Sequence, residues 1–355
     1  MNKSSETTRS LLIKHYQAYP KLQIEDVFKY LFQSALGCEH LLTDENAALG
    51  YIKREYESVS KTDAPLVDAL DGNFSRVHLS TLNCGLTAET LAKTFFLSAS
   101  PVSDGKKALE EKLALARELI GEGSLPLDAK LFDSMLEGWR DMGFPAVRHS
   151  DTFRKSYRPA YRVISNRFSE YLPLFSEIDK RLKNGPLVIA IEGGSASGKT
   201  TLAAILRDVY DCNVFHTDDF FLRPEQRTAE RLSEVGGNID RERLYDEVIS
   251  PILKGEEICY RPFDCQTGEL DEAVTVSAKG LTVIEGTYSM HPAFDKYYDL
   301  GIFLDISPEL QKKRIINRNT PEFANRFFEE WIPLENEYFT KTDVKNRSLC
   351  LTIGK

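Results

Sequence analysis

Leu187-Val188-Ile189-Ala190-Ile191-Glu192, followed by Gly193-Gly194-Ser195-Ala196-Ser197-Gly198-Lys199-Thr200-Thr201, is the stretch that decides the reading of this chain. The first six residues are a short, apolar, β-branched run, the pattern of a buried strand. The next nine contain G-x-x-x-x-G-K-T, and Leu202-Ala203-Ala204-Ile205-Leu206 continues as a helix. Strand, glycine loop and helix in that order are the context a phosphate-binding loop requires. Gly193 and Gly198 allow backbone angles that a side chain forbids, so successive N–H groups can turn inward around an anion. The following helix directs its positive dipole end at the same point. Lys199 is a compact charge for the outer phosphates, and the Thr200 hydroxyl is a ligand for Mg²⁺. Residues 193–201 therefore form a candidate ATP or GTP site, with Mg²⁺ as its metal.

Working outward, residues 182–186 (Leu-Lys-Asn-Gly-Pro) look like a helix end and a Gly-Pro break, which sets a domain boundary. Residues 1–183 are expected to form a mostly helical domain of unknown function, and 184–355 a phosphate-loop domain. In the second half, apolar runs at 187–191, 213–216, 281–284, 300–304 and 349–353 alternate with helical stretches, predicting an α/β fold with a doubly wound parallel sheet. Ligands of such sheets sit at the carboxyl ends of the strands. In the first half, 88–99, 104–121, 131–142 and 166–182 carry apolar residues at helical spacing.

Two acidic motifs fall at strand ends. His216-Thr217-Asp218-Asp219-Phe220-Phe221 follows the second strand, and Val283-Ile284-Glu285-Gly286 ends the third. A carboxylate facing the γ-phosphate across Mg²⁺ can take a proton from an attacking hydroxyl, and the residue pattern alone leaves Asp218 and Asp219 equal for that role. Glu285 stands where such proteins place the acid that holds the metal or its waters.

Composition bounds the rest. The 355 residues are 42% hydrophobic and 28% charged, ordinary for a globular chain with room for two domains. A net charge of −9 argues against a nucleic-acid partner. No apolar run reaches membrane-spanning length, and the first residues lack a signal core, so a cytoplasmic protein without membrane contact is expected. Six cysteines without close paired spacing read as reduced thiols. An oligomer is left open.

The combination Gly194-Ser195-Ala196-Ser197-Gly198-Lys199-Thr200-Thr201, Asp218-Asp219-Phe220-Phe221 and Ile284-Glu285-Gly286 resembles the uridine kinase branch of phosphate-loop kinases. That group includes phosphoribulokinase, bacterial pantothenate kinase and nicotinamide riboside kinase. Arg223-Pro224-Glu225 after the Asp-Asp-Phe-Phe run looks most like the last of these. The resemblance covers about residues 186–355. It implies an ATP- and Mg²⁺-dependent kinase that phosphorylates a hydroxyl of a small metabolite. By the resemblance, Asp218 is the general base and also faces the metal held by Thr200 and Glu285. Asp240 matches the acid that grips a ribose diol, and Tyr260 and Phe263 match aromatic positions of the acceptor pocket. Arg314 and Arg318 resemble the lid-helix arginines that clamp phosphates; the planar guanidinium fork suits that task.

The sequence departs from the family in three places. Gln311 stands at a family arginine position, and Asn319-Thr320-Pro321-Glu322-Phe323-Ala324 replaces the Arg/Gly-rich lid, with Arg326 nearby as a substitute. The base-reading His-Ser-Arg stretch of uridine kinases is absent, and residues 260–268 stand in its place, so the acceptor identity does not carry over.

A different class is also on the table: a nucleotide-dependent switch whose helical half binds a partner. Thr340-Lys341-Thr342-Asp343 has the letters of a guanine-reading motif but does not follow an apolar strand, and the third strand carries no Asp-x-x-Gly. A sensor that has lost catalysis is the third reading, against which intact Lys199, Asp218 and Glu285 stand. In the first half, Glu39-His40, Arg76-Val77-His78, His149 and the arginine-rich run from Arg148 to Arg162 are polar clusters among apolar residues. A metal or anion site, or for the run a reach toward the kinase site, is weighed there against ordinary hydrogen bonding and solvated faces.

Overall fold

The computed structural model describes residues 3–38, 42, 44–59, 66–100 and 102–353. The chain divides into two compact units, Met1–Lys180 and Arg181–Lys355.

In the first unit, helices including Lys3–Ala18, Ile24–Leu36, Gly105–Gly121 and Ala129–Asp141 surround a small antiparallel sheet. The sheet has the order β1 (Val67–Ala69), β2 (Phe74–His78), β3 (Tyr161–Ser165). The apolar stripe of Ile24–Leu36 buries Val27, Phe28, Leu31 and Phe32, and the Phe28 ring stacks on Trp139 at 4.9 Å. The sheet is a finding the helical periodicities do not announce. Its strands are three to five residues long, too short for period-two alternation to stand out. The helix expected across 166–182 is two, Asn166–Ser169 and Leu172–Leu182, separated at Glu170-Tyr171 just before Pro173. Proline has no N–H, so Pro173 cannot donate to the Ser169 carbonyl as a continuous helix would require, and it is tolerated in the first turn of a new one.

The second unit is α/β. Five parallel strands lie in the order β12 (Leu349–Ile353), β11 (Leu300–Ile306), β4 (Leu187–Gly193), β10 (Leu281–Glu285), β5 (Asn213–His216). All five apolar runs named above are these strands. β4 is buried along its whole length, as a central parallel strand covered on both faces must be. Between β5 and β10 the chain makes two small hairpin pairs, β6 (Ile258–Tyr260) with β9 (Val274–Val276) and β7 (Phe263–Asp264) with β8 (Glu269–Leu270). Beneath them, Phe215, Phe220, Leu244, Val248, Ile258, Ile284 and Phe294 form one apolar cluster. Register fixes the chemistry: β10 pairs β5 with Glu285 opposite His216, and pairs β4 with Glu285 opposite Ile191. The acids at the strand ends are thereby brought level with the mouth of the phosphate loop.

Candidate active site

β4 leads through Gly193 (φ 148°) into the loop, and Gly198 (φ 106°) precedes the helix Lys199–Tyr210. A Cβ on Gly193 would stand 2.7 Å from the Leu304 carbonyl, so the position accepts only glycine on both counts. Ala196 also has a positive φ, 62°, a strained angle for a residue with a side chain. Lys199 Nζ donates to the carbonyls of Gly193 (2.8 Å) and Gly194 (3.2 Å) and lies 3.4 Å from the Thr287 hydroxyl. Ser197 Oγ is buried inside the loop and meets no partner among the described residues. An orphaned hydroxyl in a glycine-rich loop at a helix start fits a phosphate oxygen. Thr201 follows Thr200 in the first helical turn.

Thr200 Oγ1 donates to Glu285 Oε1 at 2.9 Å, and His216 Nδ1 lies 2.6 Å from the same oxygen. Glu285 is only 4% exposed, and its hydrogen bond raises the His216 pKa above the ordinary imidazole value. The pairing of His216 with Glu285 follows from sheet register, which sequence alone does not supply. Hydroxyl and carboxylate oxygens are the donor set Mg²⁺ prefers, with waters and phosphates completing its octahedron. Thr200 and Glu285 offer oxygens of that kind.

The turn Thr217–Phe220 holds Asp218 and Asp219, and Thr217 Oγ1 anchors it to the Thr287 carbonyl at 3.0 Å. Asp218 is exposed on the surface of the turn yet crowded by surrounding protein. That loss of solvation raises its pKa, Lys199 opposes the shift, and Glu285 adds to it. Asp219 is raised chiefly by burial, with His216 opposing, and its backbone carbonyl accepts from Arg243. The structure thus puts Asp218 in the field of Lys199, Glu285 and His216 together.

Asp240 is 3% exposed; Oδ1 accepts from the Arg243 amide at 3.1 Å and Oδ2 from Gln226 Nε2 at 2.9 Å. Tyr260 lies edge-on to Phe215 (5.3 Å) and stacked near Phe220 (5.9 Å), which joins it to the core under the Asp218 turn. Phe263 is buried, with the Arg227 guanidinium 5.8 Å over its ring. The two lid-helix arginines part company. Arg314 donates to the Ala196 and Ser197 carbonyls of the loop (3.0 and 3.3 Å), whereas exposed Arg318 sits 5.6 Å over Phe327. Gln311 donates to the Ser195 carbonyl at 2.9 Å, and Arg326 pairs with Glu330 at 3.2 Å.

Two acids enter that the motifs did not single out. Glu192, fully buried at the end of β4, accepts from the amides of Gly193 (2.9 Å) and Met290 (3.2 Å) and from Tyr338 (3.1 Å). Burial pushes its pKa up to about 7, against these hydrogen bonds and the Lys199 charge. Glu335, from the helix Ile332–Thr342, accepts from the Ser195 amide at 3.0 Å and from the Ser195 hydroxyl. Glu192 is legible as an acid abutting the first loop glycine; Glu335 has no sequence signal, since 140 residues separate it from Ser195.

The first-half clusters have local partners. His78 pairs with Asp68 (2.8 Å), and His149 lies between Asp26 (2.7 Å) and Tyr161 (2.6 Å). Arg154 pairs with Asp151, and Arg162 with Glu55 at 2.8 Å. Glu39 and His40 lie outside the described residues. Among the described residues no three His, Cys, Asp or Glu side chains gather as a metal site, and no helix is long and apolar enough to cross a membrane. Thr340-Lys341-Thr342-Asp343 lies at a helix end rather than after a strand.

Residues 188–323 match the family described as Phosphoribulokinase / Uridine kinase family. A bifunctional α-galactosidase/sucrose kinase of Mediterraneibacter gnavus is 29% identical over 231 residues, covering 57% of this chain and 24% of the relative. A chloroplastic uridine/cytidine kinase of Arabidopsis thaliana is 23% identical over 209 residues, covering 56% of this chain and 43% of the relative. The chain thus spans less than half the length of these curated relatives. A solved structure described as a possible uridine kinase from Bacillus stearothermophilus aligns with 50% of this chain and 99% of its own, at 23% identity and a TM-score of 0.37. The loop and the strand-end acids thus fall within a segment, residues 188–323, that is similar to the phosphoribulokinase and uridine kinase family.

Proposed function

We propose that residues 184–355 transfer the γ-phosphate of ATP to a hydroxyl of a small metabolite: a nucleoside, a ribosyl compound or another polyol. The observation that carries this reading is the convergence of Lys199, Thr200, Glu285 and Asp218 at the carboxyl ends of β4, β10 and β5. Lys199 and the amides of residues 193–201 hold the β- and γ-phosphates. Mg²⁺ would be held by Thr200, Glu285 and Asp218 and would supply charge neutralisation at the phosphates. Asp218 orients the acceptor hydroxyl and takes its proton; its raised pKa brings it closer to the working pH, where a base is most effective. Asp240, Tyr260 and Phe263 shape the acceptor pocket, and Arg314 and Arg318 offset charge on the transferring group. One relative is named a sucrose kinase and another a uridine/cytidine kinase, so sugars and nucleosides head the acceptor list.

The test is an ATP-consumption screen with Mg²⁺ against nucleosides, nicotinamide riboside, pantothenate, sugars and sugar phosphates, with products identified by mass. A phosphorylated product that disappears in Lys199→Ala is the expected result. Asp218→Asn is expected to lower kcat by at least about 100-fold, and a larger loss in Asp219→Asn would move the base to that residue. ATP binding without any phosphorylated product would overturn the reading.

A further inference from the structure

The interior of the first unit holds a polar centre for which a phosphotransferase has no use. Arg76, in the middle strand β2, is 1% exposed. Its guanidinium lies between the rings of Tyr30 and Tyr161, at 5.1 and 4.7 Å from their centroids. Nε donates to Gln33 Oε1 at 2.9 Å, and Nη1 lies 3.4 Å from His15 Nε2, a long and weak contact. Nη2 is buried and meets no acceptor among the described residues.

A guanidinium keeps its proton in any protein environment, so this buried charge is permanent. A buried ion is tolerated when it is paired and fully hydrogen-bonded. Yet the nearby carboxylates are committed elsewhere. Asp26 accepts from His149 Nδ1 (2.7 Å), Ser150 Oγ (2.7 Å), the Ser150 amide (3.1 Å) and the Gln23 amide (2.9 Å). Asp68 pairs with His78 at 2.8 Å, and Asp71 with Lys112 at 3.1 Å and the Thr8 hydroxyl. The other titratable neighbours add no negative charge. Burial and then the Arg76 charge hold His15 well below the ordinary imidazole value and bring Lys29 down to about 8. What remains is a fork-shaped cationic donor with one nitrogen unpartnered among the described residues, walled by aromatic rings. Tyr161 is itself held in place by His149, which Asp26 orients.

We propose that the first unit binds a small molecule through an oxyanion, carboxylate or phosphate, seated on the two Nη groups of Arg76 beside His15. The fork geometry matches two oxygens of either group. Such an anion completes the hydrogen bonding of Nη2. Because Nη2 is sealed from solvent, neighbouring side chains must part for the ligand to arrive, and binding is slow compared with ordinary docking.

The experiment uses the full chain carrying Lys199→Ala, so that the phosphate loop does not answer for the other site. Inorganic phosphate, acetate and benzoate are titrated at constant ionic strength against chloride, and thermal midpoints are followed. The expected result is a rise of about 5 °C or more at a hundred-fold excess over Kd with phosphate or with a carboxylate. Which anion acts identifies the group. Arg76→Lys keeps the charge but lacks the fork and is expected to weaken binding at least ten-fold; Arg76→Met is expected to abolish it. Should Arg76→Met fail to fold, Arg76→Lys and a crystal structure with the effective probe decide. No midpoint shift beyond chloride, an equal shift in Arg76→Lys, or only a water at Nη2 overturns the proposal.

Discussion

Glu335 occupies an unusual place for a carboxylate. The Ser195 amide and hydroxyl that it holds belong to the loop read as phosphate-binding, so protein and ligand compete for the same donors with the same sign of charge. It is also 3.5 Å from the Thr287 hydroxyl, which in turn contacts Lys199 and the Gly193 carbonyl. Juxtaposed like charges are costly, and removing one should favour the anion. Glu335→Gln is therefore expected to tighten ATP binding about ten-fold, equivalent to about 1.4 kcal/mol. Equilibrium titration of both forms in the same salt measures this; equal or weaker binding in Glu335→Gln would mean that Glu335 supports the loop rather than competing for it.

At the scale of elements, the end of β10 and the turn after β5 are fitted to one another through Gly286. Its φ is 139°, and a Cβ there would lie 1.8 Å from Thr217 Oγ1, the residue ahead of Asp218. Gly286→Ala forces either the strand end or the 217–220 turn to move. We expect a loss of at least about 2 kcal/mol in urea unfolding, together with lower turnover because Asp218 shifts. The Glu285-Gly286 pair is visible in the sequence for this reason: an acid needed at the sheet edge is followed by the one residue that lets the neighbouring turn approach. The central strands β4 and β10 were legible because burial on both faces demands unbroken apolar runs, and the more exposed β12 because its Leu349, Leu351 and Ile353 form a short apolar run at the end of the chain. The sheet of the first unit was not, because β1 and β2 are short and β3 starts inside an arginine-rich run whose charges mask its Val163 and Ile164. Glu335 and the Glu285–His216 pair depend on tertiary packing and register, which local pattern does not encode.

Over the whole molecule, each of the catalytic and binding residues assigned above to phosphoryl transfer lies within Arg181–Lys355. Binding of ATP and Mg²⁺ at a hundred-fold excess over Kd stabilises the native state by about 2.7 kcal/mol. Hydrogen exchange of the full chain should show this as slower exchange in β4 and in the helix Lys199–Tyr210; unchanged protection there would contradict nucleotide binding at the loop. Buried Glu192 adds a consequence for the proton balance. Its pKa of about 7 is held down in part by the positive charge of Lys199. A phosphate that neutralises Lys199 removes that restraint, the carboxylate pKa climbs, and near neutrality the complex draws a fraction of a proton from solution. Nucleotide association should thus exchange heat with the buffer in proportion to the buffer's own ionisation enthalpy and weaken as pH rises past 7, and Glu192→Gln should erase that share of the exchange.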